Sequence, residues 1–185
     1  MTNDADRSLI QRIASGDEDA FAMLYGSYER RLFGFLLRLV DDPATAEELV
    51  NDVMVEVWRG AARFGGRSRV STWIFGIAHH KAVDVLRRRR LDLAGEPEPQ
   101  VIDPGEPADA AVSREDLAER VASGLAALSP AHREVLELTL TEGFSVDEIA
   151  AIVGIPAGTV KTRMFHARRA LRAHLTDRGL TAESV

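Results

Sequence analysis

The sequence predicts an all-α fold of two small helical domains joined by a flexible acidic linker, the second domain carrying a helix-turn-helix. Three observations lead there. Apolar residues recur at steps of three and four in long runs on both sides of the chain's middle, while no convincing alternating strand pattern occurs. Residues 91–113, "LDLAGEPEPQVIDPGEPADAAVS", hold four prolines, two glycines and six acids with few large apolar side chains, which is linker chemistry. Near the carboxy terminus, a short capped helix meets a glycine and proline turn and then a basic amphipathic helix. The expected division is 1–91, a linker over 92–113, and 114–185.

The first helix comes from "DEDAFAMLYGSYERRLFGFLLRLV", where Phe21, Leu24, Tyr28, Leu32, Leu36 and Leu39 form one stripe. In "DDPATAEELVNDVMVEVWRGA" Asp42 is a cap and Pro43 suits the first helical position, with acids in the first turns. Leu49, Val53 and Val57 make its inner line, widened by Val50, Met54 and Trp58. "ARFGGRSRVS" reads as a loop because paired glycines and serines do not sustain a helix. Ser71 is the expected cap of the next helix, which keeps Trp73, Ile74, Ile77, Ala78, Ala82, Val85 and Leu86 near one face and ends in the run Arg87–Arg90.

In the second domain Ser129 and Pro130 open a helix with Val135, Leu136, Leu138 and Leu140 as core candidates. Ser145 and Glu148 have capping-box spacing, and Gly154 can end that short helix. The last helix divides cleanly at about 100° per residue: Val160, Met164, Ala167, Leu171 and Leu175 fall within about 80°. Lys161, Thr162, Phe165, Arg169 and Arg172 fall outside that line.

Composition excludes several classes. There is no cysteine, so disulfides and thiolate metal sites are impossible, which suits a reducing cytoplasm. The amino terminus has no basic region followed by an apolar run, and no stretch approaches a membrane span, so we expect a cytoplasmic protein without membrane contact of its own. Five histidines show no recognised metal spacing, and no cofactor motif occurs; "FGGRSR" lacks the lysine and upstream strand of a phosphate loop. Asp52 and Glu56 share a helix face, but no nucleophile or base is fixed near them, so an enzyme is not expected.

The net charge of −6 hides two cationic islands. Residues 61–91 carry 8 basic and 1 acidic side chains, and residues 156–178 carry 6 and 1, whereas residues 92–124 carry 2 and 9. An incoming phosphate responds to that local field. On the last helix, cations can meet phosphates while Thr162 and Phe165 can meet base edges and thymine methyls. In the first island, Arg63, Arg67, Arg69 and the arginine run lie near Phe64 and Trp73, the mixture a single-stranded surface needs. For Trp73 a core position and a stacking platform both remain open, as does plain solvation of the arginines.

The segments "AEELVNDVMVEVWR" (46–59), "FGGRSRVSTWIFGIAHHKAVDVLRRRR" (64–90) and "LSPAHREVLELTLTEGFSVDEIAAIVGIPAGTVKTRMFHARRAL" (128–171) resemble bacterial RNA polymerase sigma factors of the sigma-70 family, extracytoplasmic-function group. The likeness covers roughly residues 17–91 and 114–176. It implies a non-catalytic factor that binds core RNA polymerase and directs promoter-specific initiation. By resemblance, Asp52, Val53, Glu56 and Trp58 dock on the polymerase. Phe64, Arg67, Ser68, Arg69, Trp73, His80, Lys81, Arg87 and Arg88 meet single-stranded DNA of the −10 element. Thr159, Lys161, Thr162, Arg163, Phe165, His166, Arg168 and Arg169 meet duplex DNA of the −35 element. The likeness further implies an anti-sigma partner, and a linker running through the polymerase. Members often carry Arg-Asn where this chain has His79-His80, so −10 preference does not transfer there.

Two other readings stay open on the residues. "SVDEIAAIVGIPAGTVK" is similar to the helix-turn-helix of response-regulator-type regulators, which need an upstream domain with strands. A helical adaptor with charged faces is the non-DNA alternative.

Overall fold

The computed structural model describes residues 3–93, 121 and 123–177. The chain forms helices α1 (Asn3–Ala14), α2 (Glu18–Val40), α3 (Pro43–Gly60) and α4 (Val70–Leu93), with a 3-10 turn at Ala61–Arg63. After a helical stretch at 123–126 come α5 (Pro130–Leu140), α6 (Val146–Val153) and α7 (Ala157–Asp177). Helix α4 runs on through Asp92 and Leu93, two residues past the expected start of the linker, and the rest of the expected linker, 94–113, lies outside the described residues together with 114–120 and 122.

Local chemistry sets most boundaries. Asp17 caps α2 by accepting from the Ala20 N–H, and Asp42 caps α3 by accepting from the Thr45 N–H, with Pro43 in the first turn. Two start signals differ from expectation. Helix α4 begins at Val70, one residue before Ser71, and Ser129 occupies the cap position of α5 without a side-chain hydrogen bond.

Helix α1 was not read from the sequence. It packs Leu9, Ile10 and Ile13 against α2, and the short spacing of those three residues is the signal that could have revealed it. In α2 the inner line is Leu24, Tyr28, Leu32, Phe35, Leu36 and Val40, while Phe21 and Leu39 sit at its edges. Helix α3 buries Leu49, Val50, Val53, Met54 and Val57 as expected. In α4 Ile74, Ala78 and Ala82 are buried together with Phe75, which the sequence stripe omitted. Fully burying side chains such as Phe35 and Phe75 stabilises by about 1.5–3 kcal/mol each. Leu140 departs from expectation: it closes α5 on the solvent side at 64% exposure.

The two bundles touch along α4 and α6, and α2 also meets α5. Their apolar interiors merge, because Phe144 reaches the Phe75 ring at 5.1 Å and Phe75 continues to Phe35 at 5.2 Å.

Candidate nucleic-acid interface

The first cationic island is built on the loop 64–69 and α4. Phe64 and Trp73 lie against each other, ring centres 4.8 Å apart at 33°, and both are half-buried. With Glu56, Gly60, Arg63 and Ile77 they line a cavity of about 210 Å³. Gly60 makes this possible: a Cβ there would stand 2.9 Å from Trp73 Cζ2. Trp73 is therefore neither fully buried nor free: it packs on Phe64 and Gly60 while lining an open hollow.

Two residues the sequence did not single out hold the loop. Arg7 donates to the Gly66 carbonyl at 2.9 Å, and Asn3 Oδ1 accepts from the Val70 N–H at 3.4 Å. Gly66, at φ 65°, supplies the left-handed turn that a side chain would resist. The loop thus carries Arg67 and Arg69 outward on a pinned backbone, with Ser68 donating to the Arg69 carbonyl.

The arginine run divides by role. Arg89 donates to the Val40 carbonyl, to Asp42 and to Thr45, clasping the end of α4 to the α2–α3 turn. That clasp and a short hydrogen bond from the Thr45 hydroxyl hold the Asp42 carboxyl below its usual range, the Thr45 bonds first. Arg87 is exposed and pairs with Asp84 at 3.0 Å, and Arg88 is exposed. Exposed His80 and half-buried Lys81 lie on the same outer side, Lys81 within 3.6 Å of Asp52.

On α3 Asp52 is exposed and Glu56 half-buried, whereas Trp58 packs edge-on against Phe21 with ring centres 5.2 Å apart. Val53 is a correction. It is completely buried on the inner line of α3, so it supports that surface from beneath and offers nothing to a partner.

The second island is the helix-turn-helix. Ser145 and Glu148 form a reciprocal capping box at the start of α6, and Gly154, at φ 72°, ends it in the left-handed conformation. Helix α7 then places Val160, Met164 and Ala167 inside and leaves Phe165 64% exposed. Lys161, Thr162, His166, Arg168 and Arg169 are also exposed, while Thr159 and Arg163 are half-buried. Phe165 and Met164 floor a groove of about 550 Å³ edged by Lys161, Arg168, Arg169 and Arg172. Among the described residues none of these four cations pairs with a carboxylate. Thr162 donates to the Gly158 carbonyl, so its hydroxyl faces out with acceptor capacity left, and His166 stacks on His132.

A further set of polar contacts joins the two bundles. Arg31 pairs with Glu142 at 2.8 Å, Arg38 with Glu137 at 3.1 Å, Arg69 with Glu148 at 3.3 Å, and His79 Nδ1 lies 2.5 Å from Glu134. Thr72 also donates to Glu148 at 3.3 Å. The Arg38 Nε–H is poorly aimed at Glu137, so that contact is a charge pair rather than an aligned hydrogen bond. Burial pushes the Glu137 carboxyl up, against the downward pull of Arg38 and Arg133. Partial burial also pushes Glu148 upward, but hydrogen bonds from Ser145, together with Arg69 and Thr72, outweigh it and leave the carboxyl lowered.

Known proteins share this organisation. Residues 24–91 match the family description Sigma-70 region 2, and residues 118–171 match Sigma-70, region 4. The chain is 35% identical over 184 residues to the ECF RNA polymerase sigma factor RpoE of Cereibacter sphaeroides, covering 95% of this chain and all of that protein. It is 31% identical over 169 residues to the ECF RNA polymerase sigma factor SigK of Mycolicibacterium vanbaalenii, covering 89% of this chain and 86% of that one. Among solved structures, CnrH in complex with the cytosolic domain of CnrY is similar at a TM-score of 0.68 and 28% identity, covering 95% of this chain and 99% of that one. The sigma factor RpoE in complex with the anti-sigma factor NepR from Bartonella quintana follows at 0.66 and 26%, covering 84% and 96%. Among the described residues no helix is long and apolar enough to cross a membrane, and no group of three or more side chains could hold a metal ion.

Proposed function

The chain belongs to the sigma-70 family of RNA polymerase sigma factors, in the extracytoplasmic-function group, and on that premise we propose how its residues divide the work of promoter recognition. As a sigma factor it directs RNA polymerase to promoters and performs no chemistry itself. The residue roles are our reading, within domains bounded at 1–91 and 114–185.

Asp52, Glu56 and the exposed edge of Trp58 dock on core polymerase. Phe64 and Trp73 receive an unstacked base in their shared hollow, while Arg67, Ser68, Arg69, His80, Lys81, Arg87 and Arg88 follow the separated strand. Stacking and phosphate contacts must offset a few kcal/mol per disrupted base step. Helix α7 enters the −35 major groove, with Lys161 and Arg168 meeting phosphates around Thr162, Arg163, Phe165, His166 and Arg169; Thr159 at its start meets the backbone. The exposed, acid-free face of α7 around Phe165 is the observation that carries this reading. An anti-sigma factor that covers these surfaces is proposed as the regulator, since solved relatives are bound to the cytosolic domain of CnrY and to the anti-sigma factor NepR.

Transcription with purified core polymerase tests it. Start sites that appear only when this chain is added, and disappear when their −10 or −35 sequences are scrambled, are the expected result. A chain that only modulates initiation by another sigma factor would be the response-regulator-like protein instead, and one with no effect would be an adaptor.

A further inference from the structure

The loop that carries Phe64, Arg67 and Arg69 is held from outside itself. Its ends are closed by the Phe64 N–H, which donates to the Ala61 carbonyl at 3.1 Å, and by the Trp73 N–H, which donates to the Arg69 carbonyl at 3.1 Å. Among the described residues no backbone-to-backbone hydrogen bond reaches Gly65, Gly66, Arg67 or Ser68 between them. Two adjacent glycines make that middle costly to order. The order comes from α1. Its Arg7 guanidinium donates to the Gly66 carbonyl at 2.9 Å, and Asn3 Oδ1 accepts at 3.4 Å from the Val70 N–H, a first-turn donor of α4 that has no partner within its own helix. We propose that α1 braces the −10 loop, and that Arg7 is the positioning residue through which it sets how strictly the loop discriminates among −10 bases.

The brace is itself anchored. Leu9, Ile10 and Ile13 are buried in the first bundle, and the Tyr28 hydroxyl donates at 2.7 Å to the buried Asp6 carboxylate, one residue before Arg7. At the far end of α1, Arg12 pairs at 2.8 Å with Asp17, the cap of α2. The loop is thus tied to the core of its own bundle. Arg7 is exposed, so that core does not depend on it. A loop ordered before DNA arrives needs no further ordering on binding, and it cannot reshape around a wrong base, whose polar edge is then left unpaired. A loosened loop loses on both counts: it holds the right base less tightly and accommodates the wrong one more readily. The docking face of α3 and the −35 face of α7 lie outside the loop and keep their affinities. The brace deepens and rests on the assignment of this loop to the −10 strand made above.

The test uses the full chain with core polymerase, on a promoter mapped with it and on templates carrying single −10 substitutions; opening is read by permanganate reactivity of unpaired thymines. With the wild-type chain a substituted −10 position should lower opening by about tenfold, and with Arg7→Ala that ratio should shrink to about threefold or less. Arg7→Lys, which can still donate to the Gly66 carbonyl, should restore most of the discrimination. Gly66→Ala has room for its methyl but strains the turn at φ 65°, and should give the same loss. In Arg7→Ala, affinity for core polymerase and for the −35 duplex should change by less than about twofold, with the melting midpoint held, readouts that a merely structural role would move. Amide hydrogen exchange should quicken over residues 66–69 in Arg7→Ala and at Val70 in Asn3→Ala. Full discrimination retained by both Arg7→Ala and Gly66→Ala would overturn the proposal, as would unchanged exchange in the loop, or an equal loss on every template accompanied by weaker binding of core polymerase. A wild-type chain that opens no promoter would strike the promoter reading instead, and the exchange measurement would still decide whether α1 holds the loop.

Discussion

His79 Nδ1 and Glu134 Oε1 lie 2.5 Å apart, both residues buried, one on the helix that carries the −10 surface and the other on the first described full helix of the second bundle. The facing groups from α5 are Glu134 and the neighbouring Glu137; α2 supplies Arg38, and His80 lies edge-on from the same helix. Removing one member of such a pair leaves the other without its partner, a penalty of about 1–3 kcal/mol for a buried polar group. The bundles can avoid it by parting, so the cost is bounded by the free energy of closure. His79→Ala should therefore broaden the distance between spin labels placed on exposed Gln11→Cys and Ala173→Cys, one on each bundle, while shifting the thermal midpoint of the bundles little. A large fall in midpoint with the joint still closed would contradict this.

Gly60→Ala addresses the stacking hollow without touching a charge. The new methyl must displace Trp73, whose ring carbon stands 2.9 Å from it. The expected outcome is impaired promoter opening, read as weaker permanganate reactivity of unpaired thymines, with −35 duplex binding retained. Trp73→Ala should show the same phenotype more strongly.

Arg169 and Arg89 separate reading from support. Arg169→Ala should weaken binding of the polymerase complex to the −35 duplex by about 1–3 kcal/mol if the side chain reads a base, and a panel of altered −35 sequences should show the lost preference. Arg89→Ala should leave that binding alone. It removes three hydrogen bonds at the α2–α3 turn, so its effect belongs in the melting curve of the first bundle.

Glu148 links pH to the second bundle. Its folded carboxyl is lowered, so the stability it contributes is present above its unfolded value, about 4.3, and is lost as pH falls through the lower folded value. Asp17 behaves alike, held down by its bond from the Ala20 N–H and by Arg12. Melting midpoints should be steady from neutral pH to about 5 and fall below about 4. Glu148→Gln should flatten part of that acid limb, as followed by circular dichroism.

Much of the second island was legible in the sequence because its determinants are neighbours in the chain. The capping box spans Ser145 to Glu148, the left-handed turn is a single glycine, and the inner line of α7 is a matter of 3.6-residue spacing. The same logic exposed Asp42 and Pro43 at the start of α3 and separated Val160 from Phe165. It failed where few residues carry a signal. Helix α1 offers only three inward apolar residues, and its functional use, Arg7 and Asn3 holding the loop before α4, depends on partners 59 and 67 residues away.

What the sequence determined by itself, then, is the helical pattern, the two cationic islands and the family's motifs, all of them short-range properties. Tertiary structure decided which of the marked residues are available. It sank Val53 into the core, turned Leu140 outward, tied Arg89 into a clasp and set Glu134 against His79 across 55 residues of chain. Periodicity reports which side of a helix faces inward; it carries no information about which distant surface will be laid against the other side. That choice rests on matching charge and on the Phe75–Phe144 contact, which exist only once both bundles have formed.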